Sequence, residues 1–125
     1  MNTVLRVVSG ILHALLALTT AIDALWFGGQ ARLNALWEVR FYGEVSLGTT
    51  ILLLAAALAM VLAAVQASCG IAFVFDRRGS ALGIALLSML YLLFAPAPLS
   101  ALMALTLVVA GHRMVLAWRP PTPTP

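Results

Sequence analysis

Charge is what this chain has least of. Only 9% of its 125 residues are charged, far below the roughly 25% of soluble domains, and that scarcity excludes an ordinary water-soluble fold. There is one cysteine, Cys69, so neither an intramolecular disulfide nor a Cys-rich zinc set can form, and no metal site is expected. Lysine is missing altogether, and the net charge of +3 comes from arginines placed singly or as one pair. Such spacing reads as topology signals and excludes a nucleic-acid patch. No nucleophile, base and orienting group share one face, so an enzyme is not expected.

What fills the space is apolar. Hydrophobic residues make up 63% of the chain, and the mean hydropathy is +1.08. An integral membrane protein follows, and at ~20 residues per crossing of a core about 30 Å thick three or four spans fit the length. Four apolar blocks are visible, at about 4–27, 42–68, 79–95 and 98–118, followed by a Pro-rich tail at 119–125. "DRRGS" separates the second block from the third. "PAP" separates the third from the fourth, because proline lacks a donor and biases its predecessor out of helical geometry. The predicted fold is an all-α integral membrane bundle of four antiparallel transmembrane helices in a single domain, 1–118.

Arginine placement orients the bundle. Arg6, Arg77, Arg78, Arg113 and Arg119 fall on one side, against Arg32 and Arg40 on the other, which puts both termini in the cytoplasm of a bacterial inner or plasma membrane. Between the first two blocks, Leu33, Leu36 and Trp37 predict a short interfacial helix in an outer loop. The rival topology is a signal peptide cut after Ala21, leaving three spans; the apolar run continues past that point to Phe27, which favours four.

The first block also carries polar residues. At about 100° per residue, Arg6, Ser9, His13 and Thr20 share a sector of ~60°, with Asp23 roughly 60° beyond. Lipid offers no hydrogen-bond partners, so this stripe is expected to face other helices, with His13 and Asp23 turned inward. For His13, three roles compete: a neutral histidine bonded to a neighbouring helix, a step in a proton or ion pathway, or a b-type haem ligand with His112, the propionates meeting Arg6 and Arg119. Antiparallel packing would bring Asp23 and Glu44 together as a shared proton or cation site; the simpler reading pairs Glu44 with Arg40 and leaves Asp23 at the headgroups.

Packing signals lie in the second and third blocks. Ala55, Ala59, Ala63 and Ala67 recur every four residues, and Gly79 with Gly83 forms a GxxxG. Small residues at this spacing permit close helix contact, within the chain, in a homo-oligomer or in a larger membrane complex. Cys69 reads as one more small packing residue.

Two comparisons can be made on residues. The first-helix glutamate of small multidrug transporters is absent here. "YGEVSLGTTILLL", residues 42 to 54, is similar to the glutamate-then-leucine opening of the second helix in DoxX-type membrane proteins. That stretch is short and its motif nonspecific, so it assigns no family. The leading expectation is a small non-catalytic accessory, assembly or scaffold subunit; an ion or proton transporter using His13, Asp23 and Glu44 is the alternative, and a haem-binding subunit the third.

Overall fold

A computed structural model describes residues 3–118, so Arg119 and the Pro-rich tail lie outside the described residues. Four helices account for nearly all of it: α1 (Thr3–Tyr42), α2 (Leu47–Val74), α3 (Ser80–Phe94) and α4 (Ala97–Trp118). The chain is an all-α membrane bundle. Helices α1, α2 and α4 are long and apolar enough to cross a bilayer. At 15 residues α3 is apolar but short, about 22 Å at the helical rise.

The main difference from expectation is in α1. No loop follows Phe27: the helix runs on through Gly28, Gly29 and the polar stretch to Tyr42, 40 residues in all. Each glycine disfavours helix by only about 1 kcal/mol relative to alanine, and the residues around them are good helix formers. Leu33, Leu36 and Trp37 are therefore helical, but within α1. Similarly, α2 continues past Ser68 to Val74.

The chain divides into two compact units. Residues 15–67 form the first, an α1–α2 hairpin. Its turn is set locally: Gly43 takes a left-handed φ of 78°, which suits the residue just past a helix end, and its N–H donates to the Val39 carbonyl at 3.0 Å. Ser46 then precedes α2 and accepts from the Thr49 N–H at 3.3 Å, as an N-cap does. Glu38 ties the two ends together. One carboxylate oxygen accepts from the Ser46 N–H at 2.8 Å, and the other from the Thr49 hydroxyl at 2.9 Å. Along α1 the buried positions of this unit are Ala17, Ala24 and Ala31, a seven-residue spacing that presents a seam of small side chains. A Cβ built on Gly28 would stand 3.2 Å from that of Ala56.

The second unit joins residues 3–14 and 68–118. Its core is Phe73, Ile84, Ala85, Val109 and Ala110. Here α1 and α2 meet backbone to backbone: a Cβ on Gly10 would fall 2.6 Å from the Gly70 carbonyl oxygen, and one on Gly70 would fall 2.7 Å from that of Gly10. Only glycine on both helices allows that approach. Between α2 and α3 the turn uses Asp76 and Gly79, both left-handed.

Candidate functional site

Polar groups inside a membrane protein need partners, and the second unit supplies them for His13. The ring is fully buried. Its Nε2 lies 3.2 Å from Ser88 Oγ on α3 and 3.3 Å from Thr106 Oγ1 on α4. The two hydroxyls are 2.6 Å apart, and Thr106 donates to the Met103 carbonyl at 3.0 Å. Tyr91 stands edge-on to the imidazole, ring centroids 6.5 Å apart.

Counting protons gives the chain a direction. Each hydroxyl carries one proton; if Thr106 spends its own on Met103, Ser88 must donate to Thr106, and Nε2–H to Ser88. Protons then run from α1 through Ser88 on α3 to Thr106 and the backbone of α4, with Nε2 also within reach of Thr106 itself. The arrangement is a three-helix polar clasp whose members, His13, Ser88 and Thr106, are all buried.

A second polar cluster lies at one end of the same unit. Arg113 embraces Asp76 with two donors, Nε to Oδ1 at 2.8 Å and Nη2 to Oδ2, the bidentate fork that makes arginine–carboxylate pairs strong. Arg6 Nη1 lies 3.6 Å from the same carboxylate, and Arg6 Nη2 donates to the Val74 carbonyl at 3.3 Å. Asp76 thus ties the start of α1 and the end of α4 to the α2–α3 turn.

The remaining expected residues are placed differently. Asp23 is exposed, not turned inward, and Glu44 is exposed in the hairpin turn. Because α1 continues for 19 residues beyond Asp23, the two carboxylates are separated by roughly 28 Å of helix, and the structure does not bring them together. His112 is half-buried, about 9 Å along α4 from Thr106. The Nε2 of His13 is turned to Ser88 and Thr106, so these histidines do not present a common face to a haem iron, and the residues do not fit that group. Among the described residues no three His, Cys, Asp or Glu side chains gather as a metal site would require.

The packing residues divide. Ala63 is buried, Ala59 and Ala67 are half-buried, and Ala55 is exposed. Gly79 belongs to the turn, with φ of 82° and open space where a Cβ would point, whereas Gly83 lies against the Cys69 sulfur. The GxxxG spacing therefore yields one packing glycine, since its first member precedes the helix.

Sequence reasoning missed Ser88, Thr106, Asp76, Glu38, Gly10 and Gly70. A signal existed for Ser88 and Thr106, as lone hydroxyls in apolar helices. Their convergence on His13 depends on helix rotation, which a single sequence does not give.

Comparison with protein-family models, curated proteins and solved structures finds no match to this chain.

Proposed function

We propose that the protein is a non-catalytic integral membrane subunit with an accessory, assembly or scaffold role, packing against itself or a larger membrane complex. The observation that carries this reading is the separation of the three groups a pathway would use, His13, Asp23 and Glu44. His13 is enclosed by hydroxyls whose hydrogen bonds end on a backbone carbonyl, while Asp23 and Glu44 stand exposed and far apart. A pathway needs such groups in sequence across the membrane. Surface supports an association role: only 11% of the most apolar stretch of α2 is buried, and the exposed alanines Ala57 and Ala64, seven residues apart on one face of that helix, would let a second helix approach closely.

The clustering of Arg6, Arg77, Arg78 and Arg113 supports a cytoplasmic location for that end of the chain. A reporter fused after Pro125 is expected to be cytoplasmic, and one inserted in the α1–α2 turn near Glu44 external.

Proton transport is the second reading, favoured by the His13–Ser88–Thr106 hydrogen-bond run. Reconstituted vesicles under an imposed pH gradient separate the two. We expect proton flux equal to that of empty vesicles for wild type and His13→Leu alike; a flux abolished by His13→Leu in a folded protein would establish transport instead.

A further inference from the structure

We propose that the cleft beside the start of α3 binds the phosphate headgroup of an anionic phospholipid. The cleft has a volume of about 970 Å³, and its walls include Arg77, Arg78, Arg113, Leu82, Met114 and Trp118. Four guanidinium groups gather at this end of the unit around one carboxylate. Asp76 is committed to Arg113 and Arg6. Arg77 and Arg78 are exposed, and among the described residues neither side chain has a hydrogen bond or an ion pair, so both are available to an outside anion.

The backbone adds to the same field. Gly79 begins α3 without a side-chain cap, and the Ser80 hydroxyl is turned away to the Arg77 carbonyl at 2.6 Å. The Ser80 N–H is likewise spent on the Arg77 carbonyl at 3.2 Å, so the start of α3 adds the positive end of its dipole to the field of the two arginines and not a set of free donors.

The apolar part of the lining distinguishes a lipid from a free anion. Leu82, Met114 and Trp118 are apolar, and Trp118 is 88% exposed, a residue type that favours the membrane–water interface. Basic clefts between membrane helices with such neighbours hold anionic headgroups, and this volume is in the range of small-molecule sites. The phosphate would meet Arg77 and Arg78, and the glycerol and upper acyl chain would lie on the apolar side chains.

The test uses the full-length protein in phosphatidylcholine nanodiscs with and without phosphatidylglycerol, followed by native mass spectrometry of retained lipid. Wild type is expected to retain phosphatidylglycerol selectively. Arg77→Gln with Arg78→Gln should weaken retention about twenty- to thirtyfold, a factor of about five per arginine. Arg32→Gln with Arg40→Gln removes equal charge elsewhere and should leave retention unchanged. Equal losses in the two double variants would reduce the site to diffuse charge and overturn the proposal. So would inorganic phosphate displacing the lipid fully at equal concentration, because the cleft would then be a free-anion site. Circular dichroism checks the fold of each variant, which the exposure of Arg77 and Arg78 predicts to be intact.

Discussion

His13 Nε2 and Thr106 Oγ1, 93 residues apart in the chain, lie 3.3 Å from each other in a fully buried position. With Ser88 they join three helices through polar atoms where lipid could supply no partner. Replacing His13 with leucine leaves the two hydroxyls paired with each other and with Met103, so no orphan is created. The expected loss is ~1 to 2 kcal/mol, in the range of interhelical hydrogen bonds in membranes. Ser88→Ala should lose less, since Thr106 still reaches the ring, and the double variant should lose less than the sum. Unfolding in mixed micelles measures all three; strict additivity would show that the contacts are energetically independent.

A closer contact lies one turn away. Gly10→Ala and Gly70→Ala each force a methyl group onto the backbone of the facing helix, and each should destabilise by about 1 to 3 kcal/mol, as overpacking does. Gly29→Ala is the control. Its Cβ meets nothing within 4 Å, and the helix gains about 1 kcal/mol of propensity. Thermal unfolding in detergent should therefore move in opposite directions for Gly10→Ala and Gly29→Ala.

Asp76 performs two tasks that one substitution separates. Its φ of 55° is a conformation that asparagine also tolerates, so Asp76→Asn removes the charge and keeps the turn. The ion pair is partly exposed, and a loss near 1 kcal/mol is expected. The difference between wild type and variant should shrink as salt is raised. A salt-independent difference would assign the effect to the turn and not to the charge.

Acid should loosen the α1–α2 turn. Glu38 lies in the polar stretch beyond the apolar part of α1, and the Ser46 N–H, foremost among its donors, holds its carboxyl below the ordinary 4.5. A lowered folded-state pKa means that the contact stabilises above that ordinary value and is lost as pH falls through the depressed one. Protection of the Ser46 amide from hydrogen exchange, corrected for intrinsic rates, should accordingly be constant above about pH 5 and decline below 4.5. Glu38→Gln should flatten that pH profile; a wild-type profile already flat would separate the carboxylate from the turn.

Much of the fold was legible because membrane helices announce themselves by apolar length, and because "DRRGS" and "PAP" interrupt it as turn residues do. The inward stripe was legible too, as far as His13, since periodicity alone places Arg6, Ser9 and His13 on one face. Two things were not. Gly28 and Gly29 look like a boundary in sequence, yet the modest helix penalty of glycine does not stop α1 when residues on both sides favour the helix. That continuation is also why Asp23 and Glu44 fail to meet. The partners of His13, and of Asp76, depend on how α3 and α4 rotate about their axes, a tertiary property that spacing within one helix does not encode.

Association is what an accessory subunit must do, and it is read most directly from the mass of the intact particle extracted from native membranes in mild detergent. The chain alone is 13.2 kDa. We predict a particle whose protein mass is at least twice that, or that includes a second polypeptide, and that falls apart when Ala57→Leu and Ala64→Leu, seven residues apart on one exposed face of α2, are introduced together. A single chain as the sole species in every mild detergent tried would contradict the subunit role.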